Sequence, residues 1–138
     1  MRHFLFFTVI VITFIIVNVA CVSQKKVNNV PFEISGASYF SWVVDENEKG
    51  TTVEITLNDV GPEVRFDSLI FRKVIVPVRV SEDNDKSQTI TAIFPSGKSR
   101  IPVETRHVDR PDQLIFHHNG ERGTKRLKQV LRKDMVYY

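Results

Sequence analysis

Two patterns of apolar and polar positions divide this chain. Phe4 to Val17 (FLFFTVIVITFIIV) is a continuous apolar run relieved only by Thr8 and Thr13, whereas from Phe32 onward apolar and polar residues alternate between turn clusters. The first pattern predicts a helix; the second, with turn signals about every ten residues, predicts a series of short strands. Thr51 to Leu57 is the cleanest strand, with Val53, Ile55 and Leu57 on one face and Thr52, Glu54 and Thr56 on the other.

The remaining elements follow from the same period. Ile34 to Val44 holds Tyr39, Phe40, Trp42 and Val44 and reads as a long central strand, bulky on both faces, before the charged loop Asp45 to Gly50. Gly61-Pro62 breaks the chain ahead of a strand over Glu63 to Phe71, and Arg72-Lys73 is a tight reversal into Val74 to Val80. Pro77 cannot donate to a ladder, which predicts an edge for that strand. Ser81 to Lys86 is an acidic loop, Gln88 to Phe94 a strand, Pro95-Ser96-Gly97 a turn, and Ile101 to Glu104 a short strand within an extended stretch. Gln113 to His118 leads into Asn119-Gly120, a strong two-residue hairpin signal, with Gly123 as a candidate bulge and the return strand starting near Thr124. Leu127, Val130, Leu131 and Met135 also fall at helical spacing, so residues 124–135 compete between strand and helix, with the hairpin favouring strand.

These elements predict an all-β domain over residues 32–138: a single antiparallel β-sandwich, Ig-like, of about seven strands, following an N-terminal signal or anchor helix. Residues 1–20 read as the signal segment and 21–31 as a polar tether ending in Pro31. Without the leader about 118 residues remain, enough for one core and too few for two.

Met1-Arg2-His3 supplies a positive start, and the apolar run that follows spans about 21 Å as a helix, short of a bilayer core. Counting on to Val22 makes a retained anchor feasible, but the run closes on Val19-Ala20-Cys21, and Cys21 is the only cysteine in the chain. There the sequence resembles bacterial lipoprotein precursors, in which small residues precede an acylated cysteine; Asn18 stands where leucine is usual. A thiol with no partner in its own chain fits attachment of lipid better than an internal disulfide, and two or more acyl chains hold a protein firmly at a membrane. Val22 after the cysteine, in place of an aspartate, resembles lipoproteins sent to the outer membrane. Beyond the leader, Tyr39-Phe40-Ser41-Trp42-Val43, Asp67-Ser68-Leu69-Ile70-Phe71-Arg72, Asn119-Gly120 and Val136-Tyr137-Tyr138 resemble a group of small uncharacterised bacterial lipoproteins. That resemblance implies an address, lipid-anchored in the cell envelope and facing the periplasm, and a fold; it implies no activity.

Charge changes this picture little. The excess of basic over acidic residues is +3, with both signs interspersed, which is no footprint for nucleic acid. The one basic block is Arg122, Lys125, Arg126, Lys128, Arg132 and Lys133, a candidate for docking on anionic lipid or lipopolysaccharide phosphates, beside the plainer reading of a solvated face. The partners expected of the whole chain are the membrane, through Cys21, and another envelope protein, glycan or anionic lipid. Lys25-Lys26 in the tether could rest on lipid headgroups.

Catalytic constellations are weak. His117-His118 with His107 and Asp109 is the nearest to a metal set, but neighbours on a strand point to opposite faces, so no metal and no cofactor are expected. Ser96 reads as a turn serine, and the carboxylates of Asp45 to Glu48 and Glu82 to Asp85 as solvated loops. Tyr39, Phe40 and Trp42 read as core before glycan platform, and Tyr137 and Tyr138 as a cap on the sandwich. The expected function is a non-catalytic binding or structural module of the envelope. The alternatives are an envelope hydrolase using His107, Asp109 or His117, and a periplasmic inhibitor presenting a hairpin loop.

Overall fold

The computed structural model describes residues 30–84, 87–97 and 103–138. The expected leader helix, Cys21, Val22, Lys25 and Lys26 lie outside the described residues. Eleven strands form among the described residues: β1 (Glu33–Val43), β2 (Lys49–Asn58), β3 (Val64–Phe71), β4 (Val74–Pro77), β5 (Arg79–Asn84), β6 (Ser87–Ser96), β7 (Arg106–His107), β8 (Gln113–His118), β9 (Glu121–Arg126), β10 (Leu131–Arg132) and β11 (Val136–Tyr137). The chain is all-β there. The excess over the seven strands expected comes from pieces of two to four residues, β4, β7, β10 and β11.

Two sheets result, in a sandwich-like arrangement. The first runs β10-β1-β2-β6-β5, with β11 also on β1; the second runs β7-β4-β3-β8-β9. Every pairing is antiparallel except those of β10 and β11, which run parallel to β1. The alternation read in the sequence becomes the core. Val53, Ile55 and Leu57 of β2 and Ile90, Ala92 and Phe94 of β6 meet Leu69 and Phe71 of β3, Val76 of β4, and Leu114 and Phe116 of β8 in one buried cluster. Phe32 seats its ring edge-on against Phe66 and Phe116, with centroids at 5.3 and 4.9 Å. Each fully buried Leu, Ile or Phe contributes about 1.5–3 kcal/mol relative to exposure.

Several expectations are corrected. The long strand β1 is not central: β2 covers one side along its length, while on the other it has only two-residue partners, at Ser38–Tyr39 and Trp42–Val43. Its bulky residues divide by face. Tyr39 packs on the core, whereas Trp42 is buried outside that cluster, its ring lying across Gly50, where an added Cβ would meet it at 2.6 Å. Strict alternation forbids Tyr39 and Trp42 from sharing a face.

Val74 to Val80 is two strands in different sheets. The ladder stops at Pro77, and Val78 instead donates its N–H to the Asp67 carbonyl at 3.2 Å, turning the chain from one sheet to the other. The acidic stretch from Ser81 is strand β5 as far as Asn84, paired with β6, rather than loop; Asp85 and Lys86 lie outside the described residues. Val103 to Thr105 carry no strand, and the short strand of that region is β7, paired with Val74 and Ile75; Ile101 and Pro102 lie outside the described residues.

The Asn119-Gly120 hairpin forms as expected, with φ of 52° and 78°, but the return strand starts at Glu121. Gly123 is no bulge: it stands in register with Phe116, and an added Cβ would lie 2.5 Å from that ring. No helix forms over residues 124–135. Leu127 is buried and Val130 packs on the core, while Leu131 and Met135 of the same spacing are exposed.

Candidate binding groove

The start of β1, ahead of its pairing with β10, lies at an edge of the first sheet, and β9 forms an edge of the second. The chain leaves β9 at Arg126, crosses between the sheets over residues 127–130, and joins the first sheet as β10. The crossing is pinned by the buried Leu127, whose N–H donates to the Asp112 carbonyl at 3.0 Å. Below it lies a groove of about 420 Å³. One wall is the start of β1, from Glu33 to Ala37; the other carries Lys125, Arg126 and Lys128.

The β1 wall is a strand edge with outward backbone groups. The Tyr39 carbonyl accepts from the Lys133 N–H at 2.8 Å, and that of Val43 from the Tyr138 N–H at 3.1 Å, so these odd-numbered residues turn away from β2. Ala37 repeats their orientation; its carbonyl is the acceptor at which the β10 ladder begins, opposite Leu131, while among the described residues no strand pairs on that side with the Ala37 N–H or with Glu33 to Gly36. The register slips by one residue between Ile34 and Gly36, leaving Ile34 opposite Leu57 and Ala37 opposite Ile55, two residues apart on β2. The bulge at Ser35, whose hydroxyl donates to the Thr56 carbonyl at 3.2 Å, therefore keeps Ile34 facing the same way as Ala37.

The basic block does not form one face. Lys125, Arg126 and Lys128 share the groove; Arg122 stands in register with His117 in the second sheet, and Arg132 with Tyr39 in the first. Lys133 reaches Glu54 at 2.7 Å. Glu33 is the acidic residue on the groove wall.

Nor do the candidate catalytic residues converge. His107 on β7 is level with Phe71 through Val74, and His117 on β8 is level with Arg65. Three strand spacings across and six residues along the sheet put them about 25 Å apart. Asp109 is exposed and pairs with Lys73 at 2.9 Å. Among the described residues, no three His, Cys, Asp or Glu side chains gather to hold a metal ion. Tyr137 and Tyr138 cap nothing: they are 75% and 76% exposed beside the end of β1.

A site that spacing did not reveal surrounds the Arg72-Lys73 turn. The Arg72 guanidinium lies over the rings of Tyr39 and Phe71, at 4.7 and 5.0 Å, and donates to the Tyr39 hydroxyl at 2.9 Å. The Asp112 carboxylate accepts from the Arg72 backbone N–H at 2.7 Å. These contacts join residues 33 and 40 positions apart in the chain, beyond the reach of any local motif. No family model, curated protein or solved structure matches this chain.

Proposed function

We propose that this chain is a lipid-anchored protein of the bacterial cell envelope, acylated at Cys21, whose Ig-like β-sandwich is a binding module without catalysis. The observation that carries the binding reading is the groove, a concave site with basic side chains on one wall and an open strand edge on the other. The distance between His107 and His117, and the engagement of Asp109 by Lys73, weigh against the hydrolase alternative. The anchor rests on the apolar run, its single cysteine and the residues around it. Eight residues link Cys21 to Val30, a reach of about 30 Å, so an anchored chain keeps its groove near the membrane surface. Val22 favours the outer membrane, facing the periplasm. Of the basic block, Lys125, Arg126 and Lys128, which share the groove, are the residues proposed to meet an anionic partner.

Membrane fractionation with radiolabelled fatty acid tests the anchor. The wild-type chain is expected to carry label and sediment with membranes, and Cys21→Ala to carry none. A labelled Cys21→Ala chain, or an unlabelled wild type that keeps Met1, would refute it. Crosslinking in intact cells tests the module, with recovery of an envelope partner expected; repeated recovery of the chain alone would count against it.

A further inference from the structure

We infer that the groove takes an extended acidic peptide, which adds as a strand to the open edge of β1 between Glu33 and Ala37. The inference deepens the binding reading above and does not depend on the anchor. Strand addition requires outward N–H and C=O groups at the spacing of a ladder, with room beside them. Ile34 presents both groups and Ala37 its N–H, the Ala37 carbonyl being where the β10 ladder begins, and the bulge at Ser35 compresses the three steps between them to the two-residue interval seen on β2. The chain itself already uses this edge further along, where β10 and β11 add in parallel to the next residues of β1. The open stretch, Glu33 to Ala37, lies along only the four residues Ile55 to Asn58 of β2, about 13 Å, and is in line with β10.

Charge selects the occupant. A strand laid on this edge directs alternate side chains into the groove, toward Lys125, Arg126 and Lys128, with Glu33 as the opposing charge. Carboxylates at alternate positions meet those cations in a partly enclosed site, where pairing is stronger than on an open surface. The tether with Lys25 and Lys26 has the wrong sign to fill it. A second copy paired edge to edge would bring two basic walls together.

The test uses the full chain in zwitterionic detergent and two capped hexapeptides, one alternating threonine with glutamate and the other threonine with lysine. The glutamate peptide is expected to bind at least about tenfold more tightly, a difference of about 1.4 kcal/mol. It should also slow exchange of the Ala37 amide by about tenfold, as a newly bonded N–H does. K125E/K128E should reverse the preference. Ala37→Pro removes an outward donor without touching the β1–β2 ladder, so the glutamate peptide should bind about tenfold more weakly while the unfolding midpoint stays near wild type. Equal binding of the two peptides, or Ala37 exchange indifferent to the glutamate peptide, would overturn the inference, as would concentration-dependent protection of Ala37 without peptide. Those results would leave fatty-acid labelling of Cys21 untouched, so loss of this inference and loss of the anchor are separately visible.

Discussion

Two hairpins of this protein turn through the same backbone shape with unlike residues. Between β8 and β9 the turn is Asn119-Gly120, with φ of 52° and 78°; between β3 and β4 it is Arg72-Lys73, with φ of 50° and 64°. Both are two-residue loops with both central residues at positive φ, the conformation that matches strand twist. Asn and Gly adopt it at little steric cost, whereas for a long side chain the left-handed region costs about 1–2 kcal/mol per residue. The second turn is held from outside. Asp112 grips its backbone, Tyr39 and Phe71 cradle its arginine, and the Val108 N–H donates to the Lys73 carbonyl at 2.8 Å. The first hairpin needs only its own residues; the second is a consequence of the tertiary fold, and it ties the 108–112 segment to the hairpin in return.

Removing the external hold should separate the two most. Asp112→Ala leaves the Arg72 N–H without its charged acceptor and is expected to cost about 2–3 kcal/mol, read from urea unfolding. If the Arg72-Lys73 turn were self-sufficient, the loss would be near zero. Replacing the turn by Asn-Gly, R72N/K73G, should make it independent, so that Asp112→Ala in that background costs less by about 1 kcal/mol in a double-mutant cycle. Next in size, Gly120→Ala introduces the steric penalty that the β8–β9 turn avoids and should destabilise by about 1–2 kcal/mol. Arg72→Ala removes the contact over Tyr39 and Phe71 and should cost about 1 kcal/mol. An unchanged stability would assign the hold to Asp112 alone.

The same contrast explains what the sequence discloses. Asn119-Gly120 and the alternation in β2 and β6 are local signals, and the structure places those elements within a few residues of where the pattern puts them. The position of the Arg72-Lys73 reversal was also legible, because apolar runs flank it, but its partners Tyr39 and Asp112 lie far off in the chain. Gly123 looked like backbone freedom because it follows a turn; its reason is the Phe116 ring across the ladder, set by pairing rather than by neighbours. The basic block was visible as composition, yet its division between two sheets follows from the crossing at residues 127–130, which periodicity does not encode. The open edge of β1 was hidden for the same reason: a long strand with bulky residues on both faces has the pattern of a central strand, and only the shortness of β10 and β11 leaves it bordering a groove.

The smallest effect is expected at Lys73, where opposing contributions nearly cancel. Lys73→Gly relieves a left-handed residue, worth about 1–2 kcal/mol, but adds freedom to the unfolded chain at a cost of about 0.5–1 kcal/mol. It also removes the pair with Asp109, whose two side chains are 61% and 87% exposed. A pair so open to solvent contributes about 0–0.5 kcal/mol and less in high salt. The net expectation is a gain of about 0.5 kcal/mol, read as a small rise in the urea midpoint that grows slightly with salt as the lost pair ceases to matter. A loss of more than about 1 kcal/mol would mean that Lys73 holds the 108–112 segment through its side chain and not, as the Val108 hydrogen bond indicates, through its carbonyl.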